Sequence, residues 1–136
     1  MRRAFVWIEL VLAALVVVGV FVQVYLISAY ILGGNTDALS AHQDVGGIVH
    51  GLEVLVLLAA LVAFWRIRWG WIGHAAALPI IGTVQIAFAE SDGNEWVGAL
   101  HGALALVVVA IAAGIVSMNL RYLRATDPAA SASPPG

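Results

Sequence analysis

DVGGIVHGLEVLVLLAALVAFW, residues 44–65, decides how the chain must be read. From Val45 to Trp65 only His50 and Glu53 are ionisable. A run of that length matches the roughly 20 apolar residues that cross about 30 Å of hydrocarbon at 1.5 Å per residue. Inside lipid the backbone must satisfy its own hydrogen bonds, so such a run is a helix. Three further apolar segments flank it, and together they predict helices over about 5–32, 45–65, 71–89 and 96–120. The 136 residues are 62% hydrophobic and 10% charged, with a mean hydropathy of +1.00. A soluble domain of this size cannot hide so much apolar surface, so lipid is the expected solvent. The first segment follows Arg2 and Arg3 but is too long for a cleaved leader, and it is read as retained. Cysteine is absent, which excludes disulfides, thiolate metal sites and a cysteine nucleophile.

The charges orient the chain. All six basic residues are arginines: Arg2, Arg3, Arg66, Arg68, Arg121 and Arg124. They lie at the N-terminus, in the middle connection and after the last apolar run. The other two connections carry Asp37, Asp44, Asp92 and Glu95 and no basic residue. The positive-inside bias therefore places both termini in the cytoplasm and the chain in the inner (plasma) membrane as a multi-pass protein. Trp65, Trp69, Trp71 and Trp96 fall at the predicted interfaces, where aromatic belts form. The Pro, Ala and Ser tail, residues 126–136, is expected to be a disordered cytoplasmic segment.

An internal repeat runs through this pattern. EWVGALHG, residues 95–102, repeats the order of DVGGIVHG: an acid, two residues, Gly, two residues, His, Gly. The preceding apolar segments carry VQV (22–24) and VQI (84–86), each with a glycine about one turn earlier, Gly19 and Gly82. The chain thus reads as two tandem helical hairpins. Short connections favour antiparallel neighbours, which predicts an all-α, up-down-up-down bundle of four transmembrane helices spanning residues 1–125. Helices two and four then face each other across the bundle axis.

Depth links the repeat to chemistry. His50 and His101 each fall about five residues into their predicted helices, roughly 7–9 Å below the outer end. Gln23 and Gln85 reach a similar stratum from the other two helices. Polar groups in a span tend to point at the bundle interior. Two neutral imidazoles on diagonal helices suit the axial positions of one haem iron. Gly47, Gly51, Gly98 and Gly102 remove side chains where a macrocycle edge presses on the backbone, and Gln23 or Gln85 is placed to hydrogen bond a ring nitrogen or a propionate. The competing reading is packing: the glycines form small-xxx-small steps, and the His and Gln pairs hydrogen bond across the bundle. Zinc is a poorer match, since it takes three or four ligands and needs His42 or Glu53 added.

Glu53 lies one turn from His50 and has no counterpart in the repeat, where Leu104 stands. It is either a proton site or a neutral acid bonded to a neighbour. His42 is read as a loop residue and as the weaker ligand candidate. Glu9, one turn into the first helix, is expected to snorkel or to pair with Arg2 or Arg3.

At His50 and His101 the pattern resembles one four-helix half of haem A synthase. The resemblance covers nearly all of the chain outside the tail. It implies a haem b held between histidines on the second and fourth helices. The glutamate that the family's substrate half carries one turn before its first histidine is replaced here by Gly47. The chain is also similar to small four-helix membrane proteins of actinobacteria, a likeness that implies no function. The expectation is a b-type haem protein serving electron transfer, haem handling or redox sensing, with a membrane redox partner or a homo-oligomer as its association. A cofactor-free structural subunit and a small proton-coupled transporter using Glu53 are the alternatives. No nucleophile constellation, phosphate loop or nucleic-acid surface is present, so no reaction class is indicated.

Overall fold

The computed structural model of the chain describes residues 2–65, 68–89 and 95–127, with the side chain of Glu95 excepted. Four helices make up the fold: α1 (Arg2–Gly33), α2 (Thr36–Phe64), α3 (Trp69–Ala89) and α4 (Glu95–Ala125). Each is long and apolar enough to cross a membrane. The tail predicted to be disordered lies, from residue 128 onward, outside the described residues.

The helices exceed their apolar cores because polar residues extend them. At the first connection Gly34 takes φ +65, a left-handed conformation that costs glycine little, and its N–H closes on the Tyr30 carbonyl at 2.9 Å. Asn35 then caps α2, its side chain accepting from the N–H groups of Asp37 (3.0 Å) and Ala38 (3.2 Å). The helix therefore starts at Thr36, more than two turns before the apolar run at Val45. The expected boundary at about residue 45 is corrected accordingly, and His42 lies on α2 rather than in a loop. At the other end α4 continues to Ala125. Pro79 sits inside α3 without interrupting it, and the Thr83 hydroxyl donates to its carbonyl at 2.7 Å.

Sequence-adjacent helices pack antiparallel, and α4 closes the ring on α1. Gln23 of α1 meets His42 of α2, while Val6 and Phe64 share a cluster at the opposite end. Gln85 of α3 meets His101 of α4, and Trp71 meets Tyr122 at 5.8 Å between ring centres. Among the described residues no Cα of α2 comes within 8 Å of α4, and none of α1 within 8 Å of α3. Helices α2 and α4 are thus diagonal, as the repeat predicts.

One apolar core fills the middle, built on Ala13, Val16, Val56, Ala60, Leu78, Val108 and Ala112. A second, aromatic core of Val6, Phe64, Ile72 and Leu123 closes the arginine-bearing end. The exterior is also apolar: Leu32, Phe21, Ile48, Ile80 and Leu106 are all exposed. Helices apolar on every side suit a hydrocarbon solvent.

Two polar side chains interrupt the packing between α1 and α4. Glu9 is 1% exposed and Asn119 fully buried, and the Asn119 amide is the polar neighbour of the Glu9 carboxyl. Glu9 Oε2 and both polar atoms of Asn119 form no hydrogen bond with the described residues. The expected pairing of Glu9 with an N-terminal arginine does not occur, because Arg3 donates instead to the Thr126 carbonyl at 2.7 Å and approaches Asp127 at 3.9 Å.

Candidate functional site: a histidine layer at one end of the bundle

The polar layer expected near one end exists, with a different pair of rings in it. His42 and His101 stand 6.3 Å apart between ring centres, their planes inclined by 67°. They come from diagonal helices and meet across the bundle axis. Each ring is tied to the helix that precedes its own. His42 Nδ1 lies 3.1 Å from the main-chain oxygen of Gln23, and His101 Nδ1 lies 2.9 Å from that of Gln85. A carbonyl only accepts, so Nδ1 is the donor in both rings, which in a neutral imidazole leaves Nε2 as the ligating atom. Neither Nε2 has a hydrogen bond among the described residues.

The repeat is therefore obeyed in space by a carbonyl–imidazole unit, Gln23 with His42 and Gln85 with His101. The sequence match of His50 to His101 is not the spatial one. The reason is the early start of α2. His50 lies about 21 Å from the first residue of its helix at 1.5 Å per residue, whereas His101 lies about 9 Å from the start of α4. His42 is about 12 Å from His50 along α2 and takes the place beside His101. The two glutamines also work differently from expectation. Ring nitrogens are held by their main-chain oxygens, and only the Gln23 side chain joins in, its Nε2 donating to the His42 carbonyl at 2.9 Å. Gln23 and His42 thus form a reciprocal clamp between α1 and α2.

His50 belongs to a second polar unit deeper in the bundle. Its Nδ1 is 3.0 Å from Glu53 Oε2, with the Glu53 side chain 3% exposed and that of His50 28%. The (i, i+3) spacing stacks the two on one face of α2. Gly82 of α3 packs directly on them: a Cβ there would meet Glu53 Oε2 and stand 2.8 Å from His50 Nδ1. One turn further along α3, Gln85 holds His101, so the two polar units are adjacent storeys. Gly19 does the same service on α1, where an added Cβ would come within 2.5 Å of Val49 Cγ2.

The four glycines expected beside the ligands lie on outward faces. A Cβ at Gly47, Gly51, Gly98 or Gly102 meets nothing within 4 Å. Their neighbour Gly46 does face a polar group, the Gln23 amide at 3.0 Å. Asn119 was passed over in the sequence, although an asparagine in an apolar run is itself a signal. His74 lies far from the layer in sequence and bonds within its own helix, to the Gly70 carbonyl at 3.0 Å.

Among the described residues no three His, Cys, Asp or Glu side chains cluster as a metal-ligand set. No family model, curated protein or solved structure matches the chain.

Proposed function

We propose that the protein is a multi-pass inner-membrane protein that holds a b-type haem between His42 and His101, near the outer face. The observation that carries this reading is the pair of rings across the axis, 6.3 Å apart, each pinned through Nδ1 to a backbone carbonyl. Imidazoles that ligate a metal through Nε2 characteristically donate the other N–H to a carbonyl or carboxylate, which fixes tautomer and orientation. Two imidazoles on opposite sides of one metal atom, with nitrogen about 2 Å from it, have ring centres roughly 6–7 Å apart.

The donor set selects among metals. A bare zinc ion takes three or four protein ligands, and the described residues offer two at this level. Haem iron takes four donors from the porphyrin, so a pair of imidazoles, His42 and His101, would suffice to hold it. Bound there, the haem would supply a one-electron redox centre. The chain's residues would contribute two imidazoles whose orientation is fixed through Nδ1. Near one face such a site serves electron transfer at the outer leaflet, haem handling or redox sensing.

The test is the absorption spectrum of protein purified from haem-replete cells. The expected result is a Soret band, lost in His42→Ala and in His101→Ala and retained in His50→Ala. A colourless, folded wild-type protein overturns the haem reading and leaves a membrane scaffold whose carbonyl–imidazole bonds only set helix register. A band lost in His50→Ala and retained in His42→Ala overturns the pairing.

A further inference from the structure

The arginine-bearing end of the bundle holds a guanidinium that no acid among the described residues neutralises. Arg68 lies between α2 and α3, and its main chain is held on both sides. Its N–H donates to the Phe64 carbonyl at 3.2 Å, and its carbonyl accepts from Trp71 at 2.9 Å and Ile72 at 3.4 Å. The guanidinium carbon stands 5.1 Å from the centre of the Trp71 ring and 5.9 Å from that of Tyr122. Those rings are themselves fixed, packing on Phe64 at 4.5 Å and 5.7 Å. Stacking on aromatic faces orders a guanidinium while leaving its fork of N–H donors unspent. Among the described residues the Arg68 side chain makes no hydrogen bond and no ion pair.

The surroundings determine what those donors suit. Arg2, Arg121 and Arg124 are exposed at the same end. Of the acids described near that end, Asp127 is already beside Arg3 and Glu9 is buried beside Asn119. Trp65 and Trp69, in ring contact at 5.4 Å, flank Arg68 in sequence and mark the level at which headgroups meet hydrocarbon. A forked donor at that level, within a positive field, matches the phosphate of a lipid.

We propose that Arg68, stacked on Trp71 and Tyr122, binds the phosphate of an anionic phospholipid in the leaflet at the arginine end of the bundle. Zwitterionic lipids carry the same phosphate beside a cation that the surrounding arginines repel, so the site discriminates by net headgroup charge. This site is separate from the histidine layer and does not require the haem; it rests only on the membrane placement proposed above.

Native mass spectrometry of the full chain tests it, titrating dioleoyl phosphatidylglycerol against dioleoyl phosphatidylcholine so that the acyl chains are equal. The expected result is preferential binding of one phosphatidylglycerol, with the preference reduced about fivefold in Arg68→Gln. Arg68→Lys keeps the charge but not the stacked fork and is expected to fall between the two. Helix content by circular dichroism is expected to be unchanged in both variants. Equal binding of the two lipids by wild type, or an unaltered preference in both variants, overturns the proposal. Displacement of phosphatidylglycerol by excess inorganic phosphate also overturns it, since the source is then a free anion.

Discussion

Gln23 and Gln85 look equivalent in the repeat, but they are not equivalent in use. The bond from His101 Nδ1 reaches the main-chain oxygen of residue 85, which any residue provides. At position 23 the side-chain amide also donates to the His42 carbonyl. Gln85→Ala is therefore expected to leave His101 in place with little effect on stability. Gln23→Ala removes one interhelical hydrogen bond and is expected to cost about 0.5–1 kcal/mol. Thermal unfolding of the two variants in the same detergent distinguishes them, and equal losses would show that the Gln23 side chain contributes nothing beyond its backbone. His42 illustrates why residue-level reading falls short. A histidine near two acids and a Gln reads as solvated until the helix carrying it is known to start at an Asn cap. The signal was present in Asn35, Thr36 and Asp37, a cap and first turn. It lies outside the apolar run, and hydropathy alone does not extend a helix into polar residues 36–44.

At the scale of elements, α2 is held by a glycine on each side. Gly19 of α1 admits Val49, and Gly82 of α3 admits Glu53 and His50. The repeat made both glycines visible, but their job is to let helices approach, which depends on which face each turns inward. Gly82→Ala places a methyl group against the Glu53 carboxyl. It is expected to push α3 off α2 or break the His50–Glu53 hydrogen bond, at a cost of about 1–3 kcal/mol. Gly47→Ala, on an open face, is expected to be neutral or slightly stabilising, since alanine favours helix over glycine. The comparison is read by thermal unfolding, and equal stability of the two variants would refute the close α2–α3 approach.

The whole molecule is polarised along its axis. Among the described residues, Arg2, Arg3, Arg68, Arg121 and Arg124 collect at one end, with His42, His101, Asp37 and Asp44 towards the other. Between them the span carries two buried polar pairs, Glu53 with His50 and Glu9 beside Asn119. The proposed orientation, with the arginine end in the cytoplasm, follows the positive-inside expectation. The chain has no cysteine, so single replacements report topology cleanly. A membrane-impermeant maleimide applied to intact spheroplasts is expected to label Ser40→Cys and to spare Thr126→Cys. The reverse pattern inverts the orientation and moves the proposed haem site to the inner leaflet.

Four helices long and apolar enough to cross a membrane, the repeat and the axial charge asymmetry were legible in the residues alone. Each is a matter of transfer free energy summed along the chain, and that sum needs no knowledge of partners. Which imidazole meets His101 was not legible. It depends on where α2 begins and how it is rotated, and those follow from a cap at Asn35 together with glycine contacts to α1 and α3. A sequence alignment of the two halves matches His50 to His101 because it counts residues from the apolar run. Packing matches His42 to His101 because it compares heights along the bundle axis.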